Sequence, residues 1–465
     1  MQSVFHDILD NCCKGSILIL GFGKEGKSTY RLLRKLYPDK KLSISDKNKS
    51  AYSDFTEIKH DTLMECISGD DYLECIANFD TVFKSPGISI REKSNLLEKT
   101  NLTSQTDVFL QAFRAQTIGI TGTKGKSTTS SLIYHLLKKS FPNSILVGNI
   151  GVPPFDMLES INSETRIVFE LSGHQLEGIR LGPSTLVFLN LFHEHLDFYG
   201  NFENYKNAKL FGVNKQLSGD KIIFNHDEGN VCEAIISAMP IAKLIPYSVK
   251  SELPQGYYTI ENQVYYAENG EAACILPDIS QRKIPGVHNL GNILASIAAV
   301  MQSGMQTTGI AEGIASFCGL PHRMELVGVV EGVYYYNDSI ATIPESAMYA
   351  IETIPEARTL IAGGFDRGVD YSKFADFLAS SSITNLIVMG KAGKRLAENL
   401  ARTPHNINIF HANNMQEAVS YAKSHTKSNE ACLLAPAASS YDMFKNFEER
   451  GEVYRKYVLA ESTEA

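Results

Sequence analysis

Two glycine loops hold most of the residues in this chain whose type and spacing suggest chemistry. The first spans Thr121–Thr128 and reads TGTKGKST. An apolar run, 117–120, precedes it, and Leu132, Ile133, Leu136 and Leu137 follow at helical spacing. A strand, a glycine turn and a helix N-terminus present backbone N–H groups to phosphates. Within this loop Gly122, Thr123, Lys124 and Gly125 would form the cradle, Lys126 would reach β- and γ-oxygens, and Ser127, beside Thr128, would hold Mg²⁺. The complete phosphate-loop pattern has a glycine where this chain has Ile120, so the motif is the variant G-x-x-G-K-S. The second loop is Gly21-Phe22-Gly23-Lys24-Glu25-Gly26, a G-x-G-x-x-G turn between an apolar run and a helix-like segment. Asp46 ends the next expected strand, where a ribose hydroxyl would be met. NAD or another diphosphate ligand suits this loop, and a purely structural turn is the bland alternative. A kinase or ligase acting on a nucleotide-linked substrate uses both loops. An NAD-dependent oxidoreductase, the alternative from another class, uses only the Gly21–Gly26 loop.

Acids and histidines gather after the ATP loop. Glu170 closes the apolar run Ile167-Val168-Phe169, and strand ends of a parallel sheet line the ligand crevice. Asn190 closes the next run and leads into His193-Glu194-His195-Leu196-Asp197, which lacks the second histidine of HExxH because Asp197 stands there. An exposed histidine loop and a Mg²⁺ role both remain open for this cluster. By periodicity Lys209 reads as a solvated lysine. Asn289 and Asn292, near the start of an Ala-rich helix, would cap that helix or read an adenine edge. Arg323 is either a surface arginine or one that reaches a γ-phosphate.

The elements that must position these residues are α/β. The length, 465 residues, suggests about three domains at roughly 150 residues each. The apolar share of 43% and charged share of 21% are those of a globular chain rather than a disordered one. A net charge of −8 with no strongly basic block argues against nucleic-acid binding. Eight cysteines without a CxxC pair read as reduced thiols. No segment approaches ~18 consecutive apolar residues, and the N-terminal stretch lacks a basic lead-in. A cytoplasmic protein with no membrane partner is expected. Strands predicted at 16–20, 42–45, 81–84, 117–120, 166–169, 185–189, 333–336, 359–362, 385–388 and 432–434 alternate with helical patterns, and 219–283 reads as β-rich. The expected organisation is an N-terminal Rossmann-like domain over 1–112, a central P-loop ATPase-like domain over 113–320 and a C-terminal Rossmann-like domain over 321–465.

Taken together, the motifs resemble those of the Mur ligase family, ATP-dependent amide-forming enzymes of peptidoglycan synthesis. GTKGKSTT (122–129), GVHNLGN (286–292) and LPHRMELV (320–327) carry the resemblance across most of the chain. GFGKEG, Ser85-Pro86-Gly87, Gly148-Asn149-Ile150-Gly151, Glu170–Leu176 (ELSGHQL) and Leu434–Gly451 resemble its glutamate-adding branch. The resemblance implies that Gly21, Phe22, Gly23, Gly26, Asp46, Ser85, Pro86 and Gly87 hold a UDP-sugar rather than NAD. It implies metal ligation by Ser127, Glu170 and His195, and a carbamylated Lys209, against the bland reading of that lysine. Asn289, Asn292, Arg323 and Asp338 would bind ATP. Thr342, Arg367, Ser440 and Phe447 would surround glutamate. Catalysis would rest on Lys126, Glu170, His195, Lys209 and Arg323. The implied partners are small molecules alone: UDP-N-acetylmuramoyl-L-alanine, glutamate and ATP, used by a monomer.

The chain departs from the family pattern where glutamate would bind. A usual DSKATN is Asp338-Ser339-Ile340-Ala341-Thr342-Ile343 here, which exchanges a lysine and an asparagine for isoleucines. Arg367 stands where a second lysine is usual, ELSSFQL has become ELSGHQL, and the residue before His195 is Glu194 rather than aspartate. An ammonium replaced by isoleucine is a charge that no neighbour of short reach restores. D-glutamate is the expected amino acid, with L-glutamate as the alternative that the DSIAT variant implies.

Overall fold

The computed structural model describes residues 2–53 and 55–460 and contains three sheets. The N-terminal sheet holds β1 (Ile17–Leu20), β2 (Leu42–Asp46), β3 (Met64–Ser68), β4 (Thr81–Lys84) and β5 (Asn101–Thr103) in the order β3-β2-β1-β4-β5, all parallel. Its central strand, β1, is an unbroken apolar run (ILIL), as burial on both faces demands. Helix α1 (Lys24–Leu36) leaves the Gly21–Gly26 loop.

The central sheet comprises β6 (Thr117–Thr121), β7 (Ile145–Gly148), β8 (Ile167–Glu170), β9 (Thr185–Phe188), β10 (Lys221–Asn225), β11 (Lys243–Ser248), β12 (Gly256–Ile260), β13 (Gln263–Glu268) and β14 (Glu271–Leu276). Their order is β14-β13-β12-β11-β10-β9-β6-β8-β7. Pairing is parallel until β12, and β12, β13 and β14 form an antiparallel edge. These last strands account for the β-rich 219–283 segment, which also holds a helix at Gly229–Ser237. Helix α2 (Lys126–Ser140) leaves the Gly122–Gly125 loop, and α3 (Phe202–Asn214) follows β9 in sequence.

The third sheet contains β15 (Glu325–Val330), β16 (Val333–Asn337), β17 (Ala357–Gly363), β18 (Asn385–Met389), β19 (Asn408–His411) and β20 (Ala431–Leu434), ordered β15-β16-β20-β17-β18-β19. Only the β15–β16 pair is antiparallel. Helices α4 (Val287–Gln302), α5 (Pro344–Thr353) and α6 (Phe447–Leu459) complete the elements used below.

Contacts divide the chain into two compact units, one made of residues through 280 with 291–313, the other of 281–290 with residues from 314 onward. In the first unit the N-terminal and central sheets share one apolar cluster, in which Phe5, Leu33, Phe109, Phe113, Phe155 and Phe169 are all buried. In the second unit, apolar clusters lie against both faces of the third sheet, one with Leu360, Leu386 and Leu433, the other with Ile361, Ile387 and Leu434. Side chains alternate between faces along each strand, so neighbouring residues feed opposite clusters. The mixed α/β class expected from the sequence is the fold observed. Among the described residues no helix is long and apolar enough to cross a membrane.

Candidate active site

The ATP-type loop begins at the end of β6. Gly122 (φ 146) and Gly125 (φ 80) take left-handed or related backbone conformations that L side chains avoid. A Cβ on Gly125 would also lie 2.5 Å from Asn292 Oδ1. The loop is pinned from β9's exit: Asn190 Oδ1 accepts the backbone N–H groups of Thr123 and Lys124 at 2.9 and 2.7 Å. Lys126 curls back over the turn and donates to the Gly122 and Thr123 carbonyls at 2.9 and 2.8 Å. Lys124 reaches out to Glu194 at 2.6 Å.

Lys209 reaches the same loop from α3. It is 1% exposed, its ammonium donates to the Gly122 carbonyl at 2.8 Å, and it lies 4.8 Å over the Tyr205 ring. Burial, with the charge of Lys126 beside it, pushes its pKa well below the usual lysine range. The solvated lysine expected from periodicity is therefore corrected. Tyr205, Ala208 and Lys209 form one buried stripe of α3, and that apolar spacing is the signal that periodicity alone had available.

Glu170 ends β8, whose register sets it beside Ile120 of β6. It is completely buried, accepts Asn149 Nδ2 at 2.8 Å on Oε1, and has a buried Oε2 without a partner. An unpaired buried carboxylate oxygen is costly unless a cation or donor meets it. Among the described residues no three His, Cys, Asp or Glu side chains form a ready-made cage. A hard cation here would thus take a carboxylate, a hydroxyl and the oxygens of a bound phosphate, which is the habit of Mg²⁺. The oxygen donors present fit that ion. His195 has φ 55, is half exposed, and stacks edge-on against His174 at 5.3 Å. Burial, then the neighbouring His195, Lys84, Lys209 and Arg91, lowers His174 to about 4.

The Gly21–Gly26 loop closes on itself more completely. Asp46 Oδ2 accepts Phe22 N–H at 2.7 Å and Asp46 Oδ1 accepts Asn48 N–H at 2.8 Å. Ser85 donates its hydroxyl to the Gly21 carbonyl at 2.9 Å, so Ser85 and Asp46 meet at one turn. A Cβ on Gly26 would lie 2.0 Å from the Gly21 carbonyl oxygen, whereas Gly23 and Gly87 face open space. Pro86 is half-buried and precedes exposed Gly87 in the turn after β4.

In the second unit, Asp338 is buried and accepts Met324 N–H at 3.1 Å. Burial raises its pKa to about 6, against the opposing pull of that hydrogen bond and of Arg323. The bond holds a strained segment, with His322 at φ 62 and Met324 at φ 47, and leaves Arg323 exposed between them. Asn289 Nδ2 donates to the Pro285 carbonyl at 2.6 Å. Ser339 donates to the Phe447 carbonyl at 2.8 Å, which ties the 338–343 segment to the start of α6. Thr342 is half-buried, Ser440 is buried, and Arg367 lies 5.7 Å over the Tyr441 ring. Ile340 is half-buried and Ile343 is 49% exposed.

Three structural residues were not among the sequence candidates. Asn190 orders the Gly122–Gly125 loop, Asn149 holds Glu170, and Arg450 braces the 338–343 segment. Arg450, 2% exposed, donates to Ser339 Oγ, Ser339 O and Ala438 O at 2.9, 2.8 and 3.0 Å. Strand-end position marks Asn190, and the buried stripe Arg450–Tyr454–Val458 marks Arg450.

Residues 120–300 match the Mur ligase middle domain, and 322–438 match the Mur ligase, glutamate ligase domain. A UDP-N-acetylmuramoylalanine--D-glutamate ligase of Oceanobacillus iheyensis is 33% identical over 96% of this chain and 98% of its own length. A protein of the same name from Symbiobacterium thermophilum is 32% identical over 85% and 87%. MurF from Acinetobacter baumannii superposes with a TM-score of 0.61 over 98% of each chain at 13% identity. The UDP-N-acetylmuramate-alanine ligase of Thermotoga maritima does so with 0.54, covering 95% of this chain and 98% of that one at 17% identity. These two likenesses speak for the three-domain fold, and the sequence matches speak for descent. The chain belongs to the Mur ligase family.

Proposed function

We propose that the protein is an ATP-dependent ligase that joins glutamate to UDP-N-acetylmuramoyl-L-alanine in cytoplasmic peptidoglycan precursor synthesis, acting as a monomer. The observation that carries this reading is the phosphate loop with two lysines on the Gly122 carbonyl, beside a strand end where buried Glu170 keeps one oxygen unpaired. The substrate follows from relatives that are named D-glutamate ligases and align over nearly the full chain.

The L-alanyl carboxylate attacks the γ-phosphorus of ATP and displaces ADP, which leaves an acyl phosphate. The glutamate amine then attacks the acyl carbon, and the tetrahedral intermediate loses inorganic phosphate as the amide forms. Loop N–H groups and Lys126 hold the β- and γ-oxygens, with charge stabilisation aimed where it develops. Mg²⁺, held by Ser127, Glu170 and His195, would supply Lewis-acid neutralisation of the phosphates when bound. Lys209 would be carbamylated: its depressed pKa gives the neutral amine that adds to CO₂ with loss of one proton. Exposed Arg323, with Asp338, Asn289 and Asn292, supplies further ATP contacts. The Gly21–Gly26 loop with Asp46 and Ser85 to Gly87 takes the UDP group, and Thr342, Arg367, Ser440 and Phe447 take glutamate. In this reading the regions 1–112, 113–320 and 321–465 divide these tasks.

A second reading, L-glutamate in place of the D-enantiomer, is favoured by Ile340 and Ile343, which replace the lysine and asparagine of the usual DSKATN pattern. Product mass spectrometry with D- and L-glutamate in separate reactions distinguishes the two. A gain of one glutamyl residue on the UDP-linked acceptor is expected with D-glutamate. The gain with L-glutamate alone establishes the second reading, and none with either enantiomer removes the proposed function.

A further inference from the structure

Glu25 occupies the first turn of α1, inside the loop assigned to a diphosphate. Helix N-termini favour anions, so two negative groups compete for one field. The carboxyl is held in an unusual way. Gln175 Nε2 donates to Oε1 at 2.9 Å, while Oε2 is buried without a partner. Gln175 is itself fixed, because its Oε1 accepts from Ser172 N and Oγ at 3.0 and 3.1 Å, so it can offer Glu25 a donor and nothing else. The Glu25 backbone carbonyl is taken by Thr29 Oγ1 and Gln105 Nε2 at 2.9 and 3.1 Å.

The charges around Glu25 are few and mostly engaged. From β4, buried Lys84 donates to the Ser85 and Ile88 carbonyls at 3.3 and 3.0 Å, and behind it Arg91 pairs with Glu177. His174, in the segment that carries Gln175, is held neutral near pH 7. On α1 itself Lys24 is exposed and Lys27 lies over the Phe22 and Phe55 rings at 6.0 and 5.4 Å. On the 154–160 turn Asp156 accepts the Ser28 hydroxyl at 2.6 Å, and Asp46 is spent on Phe22 and Asn48. The helix at Gln105–Phe113 presents the neutral Gln105. Burial pushes the Glu25 carboxyl up to about 7, despite the lowering influence of Gln175 and Lys84.

We propose that a diphosphate ligand entering the Gly21–Gly26 loop takes up one proton from solvent, which Glu25 holds on Oε2. The carboxylate that would repel the ligand thereby becomes a neutral donor at the helix N-terminus. This rests on the reading of the loop as the UDP site. The sign follows from linkage. Below about pH 7 Glu25 is already protonated in the free protein and affinity is flat; above it, affinity falls about tenfold per pH unit until the pKa of the complex is reached.

Calorimetric titration of the full chain with UDP-N-acetylmuramoyl-L-alanine, whose diphosphate diester and carboxylate do not titrate near neutrality, tests this. Two buffers of different ionisation enthalpy count the protons. Uptake should rise from none at about pH 6 to nearly one at about pH 8. Glu25→Gln should bind with no uptake and no pH dependence, and at about pH 8 roughly tenfold more tightly than the parent. Binding to the parent without proton uptake, or uptake that persists in the variant, overturns the proposal. If the variant does not fold, the parent's proton count across this range decides alone. Absence of any binding by the parent overturns the loop's assignment itself.

Discussion

The Gly21–Gly26 and Gly122–Ser127 loops both join a parallel strand to a helix through glycines with positive φ, at Gly21 (φ 89) and Gly125 (φ 80). The side chains bonded to them differ in sign. Three lysines, 124, 126 and 209, attend the second loop, two of them bonded to its Gly122 carbonyl. The first loop is fastened by an acid, Asp46, and encloses another, Glu25. A loop that must stabilise charge developing on a transferred phosphoryl group needs cations at the reacting oxygens. A loop that only holds an intact diphosphate can rely on backbone N–H groups and the helix field. Two similar turns thus differ in the charged side chains that their own residues and the neighbouring elements bring to them.

The comparison breaks most visibly at Lys126. Lys126→Ala should lower kcat by about 10²–10³-fold or more, read as steady-state ADP release, and leave UDP-ligand affinity intact. Equal loss at both loops would erase the distinction. Next comes Gly26→Ala, whose Cβ meets the Gly21 backbone oxygen; about 1–3 kcal/mol of stability should be lost in denaturant unfolding, along with UDP-ligand binding. Smaller is Arg323→Ala. As an exposed side chain it should change unfolding by no more than about 0.5 kcal/mol, while kcat falls. Smallest is Asp46→Asn. It keeps one acceptor and turns the other into a donor facing an N–H group, so UDP-ligand affinity should weaken about tenfold, as equilibrium titration would show.

Central strands and both glycine loops were legible because buried parallel strands are continuous apolar runs and left-handed turns require glycine. Edge strands were not. β3 reads MECIS and has no buried residue, β5 has three residues, and β15 is interrupted by a register shift, so none carries a clear period. Motif residues such as Glu170, Asp46 and Ser85 were readable by position at strand ends. Lys209 and Arg450 were harder, because a charged residue in a buried stripe contradicts its own type. Only the stripe reveals it, and its partners are backbone carbonyls that sequence does not display. The Gln175–Glu25 contact joins residues far apart in sequence, and no local pattern announces it.

The most direct test of the account is ADP release by the purified full chain, with ATP and Mg²⁺ present and the acceptor and amino acid added in turn. Sustained release is expected only when UDP-N-acetylmuramoyl-L-alanine and glutamate are both present. Release that does not depend on the UDP-linked acceptor, or none with either glutamate enantiomer, would contradict it.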